Sequence, residues 1–372
     1  MPYREYKQRL VLAGGGHAHL HSLLNAAEFV ERGCEVVLVN PSPYLYYSGM
    51  ATGVISGVYT QEQDRMDVRR LVERGGGRFV EGRVTGVLTE SRELLLENGE
   101  RISYDYASLC IGSEVACSFG MEEGCTIPVK PVENTAEIRD RILTYEGSSG
   151  PRVLVVGGGA AGCEVAANAA NLMKRKNLGG RITLAEAGPA LLGSSPEKAQ
   201  REITSYLLER GVEVLTKTPI VSYAEGVAET GAGRGIEADL IVAAVGITPR
   251  TLHQGTSLLT ANDGGMWVNH YLQSVSDHRI FGGGDSISFR GEALPRLGVF
   301  GIRQGPVLFH NLLAALDGRP LERYEPQKRH LYILNFGDGT GLAVYGDFSW
   351  RGRLAMALKH AIDHRFMRRY DA

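Results

Sequence analysis

The sequence lacks the cysteine patterns of a disulfide-stabilised or zinc-binding protein. It has five cysteines, an odd number, and they form neither a C-x-x-C pair nor a metal-ligand spacing. Such usage fits a reducing compartment. No cysteine lies between Cys34 and Cys110, which excludes a redox-active dithiol from that part of the chain. The sequence therefore predicts a cytoplasmic protein without a metal site.

Long apolar runs and an excess of one charge are also missing. No run of 18 apolar residues occurs, so no membrane span is predicted. Residues 1–10 are polar and charged and precede a strand pattern, so no signal peptide is predicted. The formal net charge is -2, and the basic residues are spread along the chain except at the C-terminus. This balance argues against a general nucleic-acid binder.

Glycine, in contrast, is abundant. The chain has 48 glycines and 14 prolines in 372 residues, and they form neither a repeat nor a linker. They read as turns of a compact α/β protein, and the length suggests two or three domains.

The most informative stretch lies near the middle of the chain. Residues 153–156 are four consecutive apolar residues, as in a parallel strand buried on both faces. Gly157, Gly159 and Gly162 follow in the spacing G-x-G-x-x-G, and residues 163–173 read as a helix. The glycines allow a tight turn and a close approach to a pyrophosphate, which the helix N-terminus attracts. The stretch predicts dinucleotide binding.

The next strand supports this prediction. Residues 181–185 read as a strand that ends at Glu186, where a carboxylate can accept hydrogen bonds from ribose hydroxyls. The alternative is an ordinary glycine turn in an α/β fold.

An incomplete version of the same pattern occurs near the start. Residues 9–13 read as a strand, and Gly14 and Gly16 occupy the first two glycine positions. His19 stands where the third glycine belongs, and a helix is predicted over about residues 18–31. This first fingerprint is therefore degenerate.

The second strand of that pattern also departs from expectation. Residues 35–39 end at Asn40 instead of an acid. Asparagine can still hydrogen-bond a ribose, without the charge-assisted strength of a carboxylate. His17 and His19 either touch phosphate or flavin, or simply pack against and cap the helix.

The pattern then continues in the same order in both parts of the chain. Residues 78–81, 84–88 and 93–96 read as strands of an antiparallel meander, and strands ending at Gly112 and Gly246 close the two copies. The sequence thus predicts an α/β protein with two nested Rossmann-like dinucleotide-binding domains, each with a parallel sheet and an antiparallel meander. A small C-terminal α+β segment follows.

Two later segments add detail. Residues 277–286 read as a short strand that places Asp285 on a glycine turn, where its carboxylate could bind a polyol or serve only the turn. A helix is predicted over residues 310–316, closed by Gly318, and strands over residues 331–335 and 341–345.

Two glycine turns and a late G-G-G-D together resemble the two-dinucleotide-binding flavoproteins of the pyridine nucleotide-disulfide oxidoreductase superfamily, over nearly the whole chain. Within it the chain resembles type II NADH dehydrogenase-like proteins, especially the branch fused to selenide, water dikinase. The segments that carry this resemblance are GGGHAH at 14–19, YYSGM at 46–50, VKP at 129–131, FGIRQGP at 300–306 and DHRFMRRY at 363–370.

The resemblance implies the binding residues and the domain division. FAD would be held by Gly14, Gly16, His17, Ala18, Asn40, Gly112 and Asp285, and NADH by Gly157, Gly159, Gly162, Glu186 and Gly246. Gln304 and Lys130 would lie near the flavin ring as catalytic residues. Residues 1–145 and 255–320 would form a discontinuous FAD-binding domain, residues 146–254 an NAD(H)-binding domain, and residues 321–372 the C-terminal segment.

The resemblance implies an FAD-dependent NADH dehydrogenase that passes electrons to a quinone or another small acceptor. Glu186 would favour NADH because its carboxylate repels the phosphate of NADPH. Two alternatives stay open. A sulfide:quinone oxidoreductase-like enzyme would need cysteines beside the flavin, and Cys117, Cys125 and Cys163 are its candidates. A non-catalytic redox sensor would bind flavin and nucleotide only.

Residues 350–370 predict a basic amphipathic helix. Its apolar residues are Leu354, Ala357, Leu358, Ala361, Ile362 and Met367, and its basic residues are Arg351, Arg353, Lys359, Arg365, Arg368 and Arg369. Such a helix can lie on an anionic membrane surface, where a quinone is dissolved. It can equally pack on its own chain or on the partner of a homodimer. The predicted location is cytoplasmic, either free or peripheral on the inner face of the cell membrane.

Overall fold

The computed structural model describes residues 6–117, 119, 125–252 and 256–371. The predicted domain boundary at residues 254 and 255, and the chain ends at residues 1 and 372, lie outside that part. The strands in chain order are β1 Gln8–Ala13, β2 Cys34–Asn40, β3 Tyr44–Tyr46, β4 Arg65–Asp67, β5 Arg78–Glu81, β6 Val84–Leu88, β7 Glu93–Leu96, β8 Arg101–Ser103, β9 Tyr106–Leu109, β10 Ser113–Val115, β11 Thr126–Pro128, β12 Arg152–Val156, β13 Arg181–Ala185, β14 Glu213–Leu215, β15 Ile220–Ala224, β16 Val227–Thr230, β17 Gly235–Glu237, β18 Leu240–Ala243, β19 Ile247–Pro249, β20 Met266–Val268, β21 Ile280–Gly282, β22 Ile287–Phe289, β23 Leu331–Asn335, β24 Gly341–Tyr345 and β25 Phe348–Gly352. The helices are α1 Leu20–Leu24, α2 Ala26–Glu31, α3 Ser48–Ser56, α4 Val68–Arg74, α5 Asn134–Leu143, α6 Ala160–Arg175, α7 Glu197–Glu209, α8 Gly298–Asp317 and α9 Arg353–Met367.

Two parallel sheets form the centre of the molecule. The first has the order β21-β9-β1-β2-β5 and the second the order β11-β18-β12-β13-β14, and every neighbouring pair in both is parallel. Apolar side chains of the central strands are buried on both faces, as the continuous apolar runs predicted. The predicted α/β class with two Rossmann-like units is confirmed.

Each parallel sheet is accompanied by an antiparallel meander, β6-β7-β8 in the first copy and β15-β16-β17 in the second. The prediction that residues 78–81 begin the first meander is wrong. These residues form β5, the parallel edge strand of the first sheet, where Val37 pairs with Arg78. Four residues carry too little periodicity to separate the two kinds of strand.

The predicted helix over residues 18–31 is two helices. α1 and α2 are separated by Asn25, which has φ -109° and ψ 27° and donates its side-chain amide to the His21 carbonyl at 2.8 Å. Side-chain bonds of this kind compete with the regular helix. The sequence pattern predicted one continuous helix because it does not show this break at Asn25.

Helix α8 is longer than the predicted 310–316. It begins at Gly298, contains Pro306, and ends at Gly318, which adopts the left-handed conformation with φ +65° as predicted. Gly301 and Gly305 let the helix approach the backbone near Ala18, because a Cβ at either would lie within about 3.4 Å of it or its neighbours. The two glycines therefore allow α8 to pack closely against the first glycine turn and the start of α1.

The C-terminal segment is an antiparallel sheet, β23-β24-β25, followed by α9. The sheet packs against the second unit, where the Asn168 side chain donates to the Asn335 carbonyl at 2.8 Å and the Asn171 side chain to the Phe336 carbonyl at 2.7 Å. Helix α9 turns back towards α3 of the first unit: Lys359 Nζ donates to the Gly49 carbonyl at 2.6 Å. The segment thus contacts both units.

Candidate functional site

The first glycine turn lies where β1, β2 and β9 end. Gly14 has φ +86°, and a Cβ there would collide with the carbonyl of Cys110. A Cβ on Gly16 would collide with the Cys110 sulfur. Both positions therefore require glycine, as the fingerprint predicted.

His19 replaces the third glycine by taking part in the turn. Its imidazole is fully buried; Nδ1 donates to the Gly14 carbonyl at 2.6 Å, so Nε2 accepts from the Ser108 hydroxyl at 2.8 Å. Burial lowers the pKa of His19 to about 4, so the ring is neutral. In the second copy, a Cβ on Gly162 would collide with the Gly157 carbonyl.

The position at which the helix begins allows histidine to replace the third glycine. Helix α6 begins at the fourth fingerprint position, Ala160, whereas α1 begins at Leu20, after the sixth. His19 is therefore the N-cap residue of α1, with φ -88° and ψ -16°, and does not lie inside the first turn as Gly162 does in α6. The packing interpretation of His19 holds, and the degenerate fingerprint still forms a phosphate-type turn.

Asn40 occupies the place of the missing acid, and its side chain accepts a hydrogen bond from the glycine turn as Glu186 does in the second copy. Its Oδ1 accepts from the Gly15 N–H at 2.8 Å, just as Glu186 Oε2 accepts from the Gly158 N–H at 2.5 Å. Glu186 Oε1 also accepts from Gly188 N–H at 2.6 Å. Both residues fix their glycine turn and remain at the carboxyl end of the second strand, where a ribose would bind.

A long open cavity begins at the first glycine turn and lies at the carboxyl edge of the first sheet. Its lining contains most of the residues predicted to hold FAD, together with one of the two predicted catalytic residues. These are Gly14, Gly16, His17, Asn40, Gly112, Asp285 and Lys130. Ala18 is fully buried behind the turn and, among the described residues, is not part of this lining.

His17 faces this cavity with an unsatisfied nitrogen. Its Nε2 is buried and has no hydrogen-bond partner among the described residues, and burial lowers its pKa to about 4. Its ring lies 5.8 Å from the Tyr47 ring and 6.5 Å from the Phe366 ring. A neutral imidazole nitrogen without a partner is available to a ligand.

Lys130, Asp285 and Ser113 form a compact polar group in the cavity. Lys130 Nζ lies 2.6 Å from Asp285 Oδ2 and 2.7 Å from Ser113 Oγ, and the Ser113 hydroxyl donates to the same carboxylate oxygen at 2.7 Å. Burial acts to raise the pKa of Asp285, but the charge and hydrogen bond of Lys130 outweigh it and the net shift is downward. Asp285 is therefore an ionised acceptor suited to hydroxyl groups.

Gln304 lies on α8, next to the turn that carries Asp285. It is 2% exposed, and its Oε1 accepts from the Gly284 N–H at 2.7 Å. It lines a second, neighbouring cavity with Trp267 and Phe300, not the first one. Its side chain holds the turn that presents Asp285.

The second glycine turn is built like the first, but the space beside two of its glycines is open. Gly157 has φ +109°, and a Cβ there would collide with the carbonyl of Ala244. A Cβ on Gly159 would meet no atom within 4 Å, and neither would one on Gly246, which has φ +103°. Open space over Gly159, beside the N-terminus of a 16-residue helix, fits a dinucleotide pyrophosphate.

A buried polar cluster between the units was not predicted. Lys359 Nζ lies 3.0 Å from Asp363 Oδ2, and their side chains are 8% and 4% exposed. Its positive charge also lowers the pKa of Glu164 and Asp64. Burial nevertheless raises the pKa of Glu164 to about 7 and that of Asp64 to about 8. One lysine therefore faces three carboxyl groups, two of which titrate near neutral pH.

Two signals in the sequence point to this cluster. Glu164 comes two residues after Gly162, on the first turns of α6, and Lys359 and Asp363 have the i,i+4 spacing of a helical ion pair. Lys359 was predicted as one of the basic residues around the apolar stripe of the last helix, and the structure places it in the interior instead. Periodicity identifies the faces of a helix without saying which of them is inside.

Two absences complete the description. Within the described residues, no group of three or more His, Cys, Asp or Glu side chains could hold a metal ion. In the same part of the chain, no helix has the length and apolar content needed to cross a bilayer.

Comparisons with known proteins agree with this architecture. Residues 8–307 match the pyridine nucleotide-disulphide oxidoreductase family. The type II NADH:quinone oxidoreductase of Staphylococcus aureus is 24% identical, over 96% of this chain and 95% of its own. The structure of NDH2 from Plasmodium falciparum in complex with NADH aligns with a TM-score of 0.83 at 14% identity, covering 97% of this chain and 94% of that one. The sulfide:quinone oxidoreductase of Aquifex aeolicus aligns with a TM-score of 0.82 at 15% identity, covering 97% and 90%.

Proposed function

The chain belongs to the pyridine nucleotide-disulphide oxidoreductase family, and from that premise we propose that it is an FAD-dependent NADH dehydrogenase that delivers electrons to a quinone. The supporting observation is the pair of glycine turns on two parallel sheets, one of which opens into a long cavity containing Lys130 and Asp285. FAD, when bound, takes two electrons from NADH as a hydride and gives them to the acceptor.

The first cavity suits FAD at both ends. The glycine turn at Gly14 and Gly16 leaves backbone room for a diphosphate, and Asn40 stands at the ribose position. Asp285 accepts hydrogen bonds from the ribityl hydroxyl groups, and Lys130 keeps its carboxylate ionised. Gln304 is a positioning residue whose side chain fixes the turn that carries Asp285. We assign residues 1–145 and 255–320 to the FAD-binding domain.

NADH binds at the second glycine turn, in residues 146–254. Gly159 leaves space for its diphosphate, and Glu186 accepts from its ribose hydroxyls. The carboxylate disfavours the 2′-phosphate of NADPH by like-charge repulsion. Residues 321–372 form the C-terminal segment.

The buried cluster suits the proton balance of this reaction. NADH, one proton and a quinone give NAD+ and a quinol, so one proton must be taken up for each pair of electrons. Glu164 and Asp64 have pKa values of about 7 and about 8, so both can hold and release a proton near neutral pH.

Cys163, one of the three candidate cysteines, argues against the sulfide:quinone oxidoreductase alternative. Cys163 is fully buried in α6, its thiol donates to the Gly158 carbonyl at 3.3 Å, and burial raises its pKa far above its usual range. Such a thiol is a poor nucleophile. Substitution of Cys125 and Cys163 by serine should leave NADH oxidation unchanged, whereas loss of sulfide-dependent quinone reduction in that variant would favour the alternative.

One anaerobic titration tests the main proposal. Purified protein supplied with FAD is titrated with NADH while the visible flavin band is followed, and a soluble quinone is then added. Loss of the band with NADH and its return with quinone are expected. A bound flavin that NADH does not bleach would refute the proposal, and protein that never binds FAD would favour a nucleotide-binding sensor.

The outer face of α9 supports contact with the cytoplasmic surface of the cell membrane. Leu354, Leu358 and Ile362 are 81%, 38% and 43% exposed and lie at i, i+4 and i+8 on one face. Exposed Arg353 and Arg365 on the same helix would attract anionic lipids. An exposed apolar stripe of this kind also suits a homodimer.

Vesicle flotation distinguishes contact of this α9 face with a membrane from contact with a second copy of the chain. Changing Leu354, Leu358 and Ile362 together to serine should reduce binding to anionic vesicles by at least about tenfold, because burial of each such side chain is worth about 1.5–3 kcal/mol. The same protein analysed without lipid by sedimentation gives the control. Dimers that vanish in the variant, with no vesicle binding by the unchanged protein, would favour the homodimer.

A further inference from the structure

We propose that Arg250, assisted by Arg83, binds the diphosphate of the dinucleotide in the first cavity. The inference rests on the proposed function, which assigns FAD to that cavity. Neither arginine belongs to a glycine fingerprint, and both line the cavity that the first glycine turn opens into.

Two loops bring these arginines to the carboxyl edge of the first sheet. β19 pairs antiparallel with β10, and the Arg250 N–H donates to the Gly112 carbonyl at 3.1 Å, just beyond the end of β9. Arg83 follows Gly82, whose N–H donates to the carbonyl of Asn40, the last residue of β2, at 3.1 Å. Ligands of parallel sheets bind outside this edge.

The Arg250 guanidinium is arranged to receive an anion. Its Nε is buried and has no hydrogen-bond partner among the described residues. Burial lowers the pKa of Arg250, and the positive charge of Arg83 lowers it further, whereas the carboxylates of Glu114, Glu133 and Glu97 act to raise it; the net shift is downward. Arg250 is half-buried, and the nearby carboxylates do not outweigh its burial and the like charge of Arg83, so a further anion beside the guanidinium is favourable. A diphosphate supplies the charge, and its oxygens match the donor fork of arginine.

Arg83 has only a weak partner of its own. Its Nε lies 3.7 Å from Glu97, and the two side chains are 38% and 71% exposed. An exposed ion pair at this distance contributes little and can be exchanged for a phosphate. Arg83 is therefore available as the second cation.

The geometry of the first turn explains why extra cations are needed there. Helix α1 has five residues and begins after His19, whereas α6 has 16 residues and begins inside its fingerprint. A short, late helix presents a smaller dipole and fewer aligned N–H groups to a phosphate. The two arginines supply the positive charge that the second site obtains from α6.

The test compares FAD with riboflavin, which has the same ring but no diphosphate. Arg250→Leu, Arg83→Leu and the control Arg201→Leu, at an arginine whose side chain is 71% exposed on α7, are prepared without flavin. Affinity is measured by the quenching of flavin fluorescence at low and high salt. We expect Arg250→Leu to weaken FAD binding by about 10- to 100-fold, the value of one charge-assisted contact, and to leave riboflavin unchanged.

Salt gives an independent readout. Raising the salt concentration should weaken FAD binding to the unchanged protein and to Arg201→Leu, and should do so less in Arg250→Leu, because screening acts on charge pairs. Equal FAD affinity in Arg250→Leu and the unchanged protein would overturn the inference, as would equal losses for FAD and riboflavin. Failure of the unchanged protein to bind FAD at all would overturn the proposed function with it.

A folding defect is checked separately. Urea unfolding of each flavin-free variant shows whether Arg250→Leu is folded. If Arg250→Leu is not folded, Arg250→Lys takes its place, because lysine keeps the positive charge but lacks the forked donor group of arginine. We expect the FAD affinity of Arg250→Lys to fall several-fold, and that of Arg83→Leu to fall by a similar factor. No selective loss for FAD in either of these variants would overturn the inference.

Discussion

Removal of the lysine at the centre of the buried cluster should be costly, and the structure fixes how costly. Lys359 Nζ lies 3.0 Å from Asp363 Oδ2 with both side chains less than a tenth exposed, and it also donates to the Gly49 carbonyl at 2.6 Å. In Lys359→Met, the one hydrogen bond that the Asp363 carboxylate keeps among the described residues is that from the Tyr47 hydroxyl at 3.2 Å. Breaking a buried pair in this way costs about 3–5 kcal/mol of unfolding free energy.

Removing both charges should cost less than the sum of the two single changes. Asp363→Leu leaves a buried ammonium and is costly alone, whereas Lys359→Met/Asp363→Leu leaves no unpaired charge at this position. We expect a coupling energy of about 2–3 kcal/mol. The assay is urea unfolding of the flavin-free protein, monitored by circular dichroism, for the unchanged protein, the two single variants and the double variant.

The loss in Lys359→Met should also depend on pH. Lys359 lowers the pKa of Glu164 and Asp64, so its removal raises both values. A carboxyl group with a raised pKa in the folded state loses stability as pH rises from its unfolded value through its folded value. The defect should therefore be larger near pH 8 than near pH 5.

A matched control and a clear refutation are available. Arg201 and Glu197 form an i,i+4 pair at 3.2 Å whose side chains are 71% and 87% exposed. Arg201→Met should change the unfolding free energy by less than about 0.5 kcal/mol. A loss below about 1 kcal/mol in Lys359→Met, or additive single changes in the cycle, would refute the view that this cluster is a buried ionic network.

Three further predictions concern single positions. Glu186→Ala should reduce the preference for NADH over NADPH by about tenfold in kcat/KM, because the repelling carboxylate is gone; an unchanged ratio of the two rates contradicts the assignment. His19→Gly restores a complete fingerprint but should lower the unfolding free energy by about 2–4 kcal/mol, since Ser108 and the Gly14 carbonyl lose their partner; increased stability in urea would show this to be wrong. Glu164→Gln should become more stable than the unchanged protein as pH rises from about 4.5 through 7, by about 1–3 kcal/mol, because Glu164 is harder to ionise when folded; a pH-independent difference would count against its raised pKa.

Local signals predicted much of the fold. Apolar runs followed by glycine identified β1 and β12, and the repetition of the unit identified two similar sheets. The oxidoreductase class and the two cofactors followed from the resemblance, and the comparisons confirm them. These features depend on residues that are close in sequence, so a single chain displays them.

Features that depend on packing between distant segments were missed. The inner position of Lys359 follows from the contact of α9 with α3, some 310 residues away along the chain. The approach of Arg250 to the first cavity follows from the pairing of β19 with β10. The hydrogen bond from the Gly284 N–H to the Gln304 side chain was not predicted, and the position of Gln304 near the flavin ring stays a prediction. In each case the residue type was visible and its partner was not.

The two glycine turns show how far a fingerprint can change and still build its site. The third glycine exists because a Cβ would collide with the first residue's carbonyl when the helix starts early, as at Gly162. If the helix starts later, the collision disappears, and the side chain can bond to that carbonyl, as His19 does. The later start shortens the helix and weakens its attraction for phosphate, so positive charge must come from elsewhere. A degenerate fingerprint therefore indicates that cationic side chains near the sheet edge should be sought, and Arg83 and Arg250 occupy that place.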